Sequence, residues 1–132
     1  MDLRTVLPCD ASSVGVARRL LRRELAAAGD PDLVDADLLD AAGLLVSELV
    51  TNAVVHARTD VTLRVILRRG VLRIEVTDGS PIVPAPRRPA GLAGTGRGLQ
   101  LVDRLADRWG VSKARRGKTI WFELAPSARV AG

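Results

Sequence analysis

Tyrosine is absent from this 132-residue chain, and Trp109, Trp121 and Phe122 are its only aromatic residues. A core so poor in rings has to be filled by Leu, Val, Ile and Ala, and a surface without them offers no stacking platform for unpaired bases. Cysteine and histidine are just as scarce. Cys9 and His56 each stand alone, so no disulfide can close within the chain and no Cys- or His-based metal site can be assembled. Cys9 reads most simply as a small buried apolar residue in a reducing compartment. The opening Met1-Asp2-Leu3-Arg4-Thr5 lacks a secretory apolar core, and no apolar segment is expected to reach bilayer-spanning length. The expected location is the cytoplasm, with no membrane partner.

What is present describes a folded protein. Hydrophobic residues make up 47% and charged residues 27%, a balance that supports a core, and the length fits one domain over 1–132. The net charge of +5 raises a basic nucleic-acid binder as one alternative. Against it, the arginines fall in pairs on separate segments, Arg18-Arg19, Arg22-Arg23, Arg68-Arg69, Arg87-Arg88 and Arg115-Arg116, with no aromatic residues interleaved.

Periodicity gives the order β-α-α-β-β-α-β-β. Residues 3–7 form a short strand. Asp10-Ala11-Ser12-Ser13 supplies caps for a helix whose stripe is Val14, Ala17, Leu20, Leu21 and Leu25. After Gly29-Asp30-Pro31 a second helix runs from about Leu33 or Asp37 to Ala57. Strands over 61–67 and 71–77 alternate with period two around an Arg69-Gly70 turn. A third helix starts near Gly98. Trp109-Gly110-Val111 opens a strand whose hairpin partner, 118–124, follows a turn at Arg116-Gly117. The order predicts an α/β (α+β) two-layer sandwich: a mixed, mostly antiparallel sheet of about five strands, covered on one face by three helices.

Four features carry chemistry. Glu48 and Asn52 project from one helix face a turn apart, inside an otherwise apolar run, and can address one bound object or be no more than a surface acid beside a capping amide. Asp78-Gly79 ends a strand where a carboxylate can accept from an amine and glycine lets a flat ring approach, or is a plain turn. Gly94-Thr95-Gly96-Arg97-Gly98, followed by Leu99, opens a helix whose free N–H groups suit an anion, or is a flexible connector. Thr119 can hydrogen-bond a ring nitrogen or simply favour a strand.

In this order the four resemble the GHKL ATPase superfamily, and most nearly its small RsbW-like anti-sigma-factor serine/threonine kinases. Residues 48–57 resemble that branch's N box, Val76-Thr77-Asp78-Gly79-Ser80-Pro81 its first glycine box and 96–103 its second, with Gly117-Lys118-Thr119 near the end. The resemblance implies ATP and Mg²⁺ as ligands. Asn52 holds the metal, Glu48 is the general base, Asp78 and Gly79 meet adenine with support from Thr119, and Gly94, Gly96, Arg97, Gly98 and Leu99 form the phosphate site. His56 is structural or lines the pocket. It also implies a mobile lid over about 80–95, an antagonist-protein substrate, a sigma-factor partner and a homodimer. Ser80-Pro81 stands where the superfamily usually has a second glycine. That departure leaves an ATP-binding regulator without turnover as the other reading.

Overall fold

Alternation decides which face of each strand is buried, and through it which polar residues are drawn inward. The computed structural model describes residues 1–29, 35–82 and 97–125, with backbone only at Arg97 and Gly98. Its elements are β1 (Asp2–Leu7), α1 (Ser12–Ala27), α2 (Ala36–Thr51), a π-helical segment (Asn52–Ala57), β2 (Val61–Arg68), β3 (Val71–Asp78), α3 (Arg97–Leu105), β4 (Arg108–Ala114) and β5 (Gly117–Leu124). Five strands form one sheet in the order β1-β2-β3-β5-β4. Every neighbouring pair is antiparallel, so the sheet expected to be mixed holds no parallel pair among the described strands.

One face of the sheet presents Leu63 and Val65, Leu72, Ile74 and Val76, and Ile120, Phe122 and Leu124, all buried against the helices. α2 is the central helix. It packs on α1, α3, β3 and β5, and buries Leu38, Ala42, Leu45, Val46, Leu49 and Val50. Complete burial of such side chains contributes roughly 1.5–3 kcal/mol each, which makes this stripe the main reason the helix forms in place. With the π-helical segment it is a continuous 22-residue helix, Ala36–Ala57, whose mean hydropathy reaches 1.6. By length and composition it could therefore cross a membrane, contrary to the sequence expectation. Half of that apolar window is buried inside the fold, as befits a core helix.

The opposite face is charged. Arg64 grips Asp2 with two hydrogen bonds of 3.0 and 2.7 Å, while Arg73 joins Glu75 and Glu123 and stacks 4.0 Å above the Trp121 ring. The Arg64 guanidinium holds the Asp2 carboxyl below its usual range. Arg64 and Arg73 on this face are thus paired with the chain's own carboxylates.

The β2–β3 turn is the expected Arg69-Gly70, both with positive φ, 53° and 76°, as a two-residue hairpin of this twist requires. The β4–β5 turn falls instead on Arg115-Arg116, because Ala114 pairs with Gly117. The N-cap of α1 is Ala11, with no side-chain cap bond, whereas α2 has one. Asp35 accepts from the Asp37 N–H at 3.1 Å, which starts the helix at Ala36. Cys9 is exposed rather than buried. Its thiol donates to the Val54 carbonyl at 3.6 Å and its N–H to Asp60 Oδ1 at 2.9 Å, tying the end of β1 to the end of the long helix.

Candidate functional site

Glu48 and Asn52 both lie where the sequence put them, on one helix and one turn apart. The helix changes character between them. Up to Thr51 it is α-helical, and from Asn52 to Ala57 it widens into π-helix before Arg58 stops it in the left-handed region at φ 57°. A π turn inserts an extra residue per turn and is common where a side chain must be aimed away from the regular helical grid. Asn52 sits at that junction, 9% exposed. Its backbone N–H is held by the Glu48 and Leu49 carbonyls, but its side-chain Nδ2 is buried with no hydrogen-bond partner among the described residues. An amide left in this way costs roughly 1–3 kcal/mol, so it is a place where stability has been given up for something else. Glu48 is half-buried.

Across from the helix end, β3 delivers Asp78. It is 7% exposed and lies on the helix-covered face of the sheet. Its Oδ1 accepts the Ser80 N–H at 2.8 Å and the Lys118 ammonium at 3.0 Å, and its Oδ2 also lies 3.0 Å from Lys118 Nζ. Lys118 completes the group by donating to the Ser80 carbonyl at 3.2 Å. Gly79 is fixed by its own N–H, which donates to Thr59 Oγ1 at 2.9 Å, and a Cβ on Gly79 would sit 3.2 Å from the Thr59 methyl. Thr59 lies just beyond the π-helical segment, so this bond joins the Asn52 half of the site to the Asp78 half.

Thr119 is not part of this group. Its hydroxyl bonds Thr77 Oγ1 at 2.7 Å, and both threonines lie on the open face of the sheet, opposite Asp78. The expectation that Thr119 supports Asp78 fails by one residue, since the register pairs Asp78 with Lys118. A signal for this was in the sequence. Ile120, Phe122 and Leu124 must face the core, so strand alternation puts Lys118 inward with them and Thr119 outward with Trp121 and Glu123.

Gly117, expected in the hairpin turn and in the closing Gly117-Lys118-Thr119 stretch, has a further role. A Cβ there would lie 1.9 Å from the Asp78 carbonyl oxygen and 2.8 Å from the Gly79 carbonyl carbon. The Asp78–Gly79 backbone therefore passes directly over it, a close approach that only glycine permits. Beside the Asp78–Lys118 pair opens a cavity of about 520 Å³, lined by Pro81, Val111, Lys113, Gly117 and Lys118 among others.

α3 begins at Arg97, one residue before the expected Gly98. Leu99 is fully buried in the core, so its side chain packs and only its backbone is available to a ligand. Gly94 and Gly96, most of the lid over 80–95, and the side chains of Arg97 and Gly98 lie outside the described residues. His56 is exposed on the π-helical segment.

The sequence profile described as "Histidine kinase-like ATPase domain" matches residues 8–124, a span containing Glu48, Asn52, Asp78 and Lys118. No curated protein matches the chain. Among solved structures, the crystal structure of the RsbU and RsbW domains of Rv1364c from Mycobacterium tuberculosis superposes with a TM-score of 0.69 at 20% identity, over 96% of this chain. The present chain spans 32% of that longer one, and the likeness is one of fold. With a family match over nearly its whole length and the five-stranded, three-helix sandwich in place, the chain belongs to the histidine kinase-like ATPase domain family.

Proposed function

We propose that this domain binds ATP with Mg²⁺ and acts as a serine/threonine protein kinase of the anti-sigma-factor regulatory type. Its substrate in this reading is a small antagonist protein in a partner-switching pathway. The observation that carries the reading is the Glu48–Asn52 turn at the end of the central helix of an ATPase-family fold, where the buried Asn52 Nδ2, without a partner among the described residues, is a donor suited to an acceptor such as a phosphate oxygen. A neutral amide oxygen fits magnesium, a hard ion that keeps several waters and is usually held by one or two protein oxygens plus phosphates. It fits better than an all-protein cage, since no group of three or more His, Cys, Asp or Glu side chains that could hold a metal occurs among the described residues.

Asn52 holds the metal in this reading, and the bound metal supplies neutralisation of phosphate charge. Glu48 orients the attacking Ser or Thr hydroxyl and accepts its proton as that oxygen bonds the γ-phosphorus and the bond from phosphorus to the β,γ-bridging oxygen breaks, with ADP leaving. Asp78 accepts from the adenine amine through Oδ2, and Gly79 leaves room for the ring. The phosphates are assigned in this reading to the first turn of α3 with Gly94, Gly96, Arg97 and Gly98. A cytoplasmic location, a sigma-factor partner and a homodimer belong to the same proposal.

Incubation with labelled ATP, MgCl₂ and small candidate antagonist proteins tests it. Transfer of label to a Ser or Thr of the antagonist, lost in Glu48→Gln, is the expected result. Absence of transfer with wild-type protein that binds ATP selects the second reading, a nucleotide-binding regulator without turnover. Pro81, which stiffens the base of the lid, favours that second reading.

A further inference from the structure

Lys118 is the one buried cation among the described residues, 4% exposed, and no step above uses it. Its place is unusual. An ammonium drawn into the helix-covered face needs full compensation, and it finds this in Asp78 Oδ1 and Oδ2, both at 3.0 Å, and the Ser80 carbonyl at 3.2 Å. The two carboxylate oxygens belong to one group, so a single N–H can span them while a second reaches Ser80. An ammonium has three N–H donors, which leaves one for the cavity that Lys118 lines. On the other partner, Oδ1 already accepts two hydrogen bonds among the described residues, whereas Oδ2 accepts one and keeps a lone pair. Lys118, which lines the cavity, and Asp78 Oδ2 therefore stand side by side 3.0 Å apart, a donor beside an acceptor.

We infer that Lys118 is a specificity-determining residue of the base site: it donates to the ring nitrogen next to the amino group that Asp78 accepts. The Asp78–Lys118 pair is thereby complementary to the Watson–Crick edge of adenine, an amino donor beside an N1 acceptor. Guanine and hypoxanthine present the reverse, a carbonyl acceptor beside an N1–H donor, and meet like groups at both positions. This inference rests on the nucleotide reading above and deepens it. It also gives the buried pair a reason, because a buried ion pair is a poor source of stability and a well-defined source of directional hydrogen bonds.

Three ligands separate the two contacts. ATP carries both groups, purine riboside triphosphate lacks only the amine, and 1-deaza-ATP lacks only the N1 acceptor. Each is titrated by calorimetry in MgCl₂ against wild-type protein, Lys118→Met, Lys118→Arg and the charge-balanced Asp78→Asn/Lys118→Met, with folding checked by circular dichroism. Loss of a hydrogen bond from a charged donor corresponds to about tenfold or more in affinity. Wild type should therefore bind 1-deaza-ATP about tenfold more weakly than ATP, and Lys118→Arg should keep most of that preference. In Lys118→Met the preference should vanish. Should that variant fail to fold with Asp78 left unpaired, the double variant gives the same comparison with the charge balanced. Equal affinity of wild type for ATP and 1-deaza-ATP, alongside discrimination against the purine riboside, overturns the role of Lys118 and leaves the nucleotide site standing. A wild-type protein that binds none of the three overturns both.

Discussion

Replacing Gly117 with Ala should unfold the site from beneath, although strand propensity alone argues the other way. Ala restricts the unfolded chain more than Gly, which by itself stabilises by about 0.4–1 kcal/mol where the backbone allows it. Here the added Cβ meets the Asp78 carbonyl oxygen at 1.9 Å, where ordinary contact begins at 3.4 Å. The obstacle is backbone on both sides, so no side chain can rotate away, and β3 and β5 must separate by roughly 1.5 Å at this point. Overpacking of this kind costs about 1–3 kcal/mol, and the same shift loosens the Asp78–Lys118 pair formed one residue away. We expect a net loss of about 2–4 kcal/mol, which for a domain of this size lowers Tm by roughly 6–14 °C. Thermal unfolding followed by circular dichroism measures it. A Tm equal to or above that of wild type would refute the placement of Asp78 over Gly117, and with it the geometry assigned to the base site.

Other consequences are as direct. Asn52→Leu removes the buried Nδ2 that lacks a partner among the described residues, so the protein without ligand should become as stable or more stable by about 1 kcal/mol while nucleotide binding is lost, read by a melt with and without ATP. Asp78→Ala leaves Lys118 buried and unpaired and should destabilise by about 3–5 kcal/mol in urea titration, whereas Asp78→Asn/Lys118→Met should recover most of that loss. The lowered pKa of Asp2 means that its pairing with Arg64 stabilises the fold above the ordinary carboxyl value of 3.8 and ceases to do so as pH falls through and below it. The stability difference between wild type and Asp2→Asn should therefore be present at neutral pH and disappear in acid, measured by urea unfolding across pH.

The elements with strong local signals were legible in the sequence. Arg69-Gly70 demanded positive φ and made the turn expected of it, and the apolar stripe of α2 fixed a core helix carrying Glu48 and Asn52 on one face. What could not be read depends on relations between distant segments. The π-helical widening at Asn52 has no local composition signal, and Cys9 is exposed because its bonds to Val54 and Asp60 hold the end of β1 at the surface. Thr119 was drawn toward the site by its hydroxyl, while the register that places Lys118 opposite Asp78 follows only when the core face of β5 is counted from Phe122. Gly117 looked like half of a turn until β3 was laid across it.

One melt tests Mg²⁺-ATP binding through Asn52 most directly. Thermal unfolding of wild type, Glu48→Gln and Asn52→Ala is recorded with and without ATP in excess MgCl₂. At a ligand concentration of about 100 times Kd, binding to the native state adds about 2.7 kcal/mol. Wild type and Glu48→Gln should rise together by several degrees, because Glu48 acts on the attacking hydroxyl, and Asn52→Ala should not move. A wild-type Tm indifferent to ATP, or an Asn52→Ala protein that shifts as far as wild type, would contradict it.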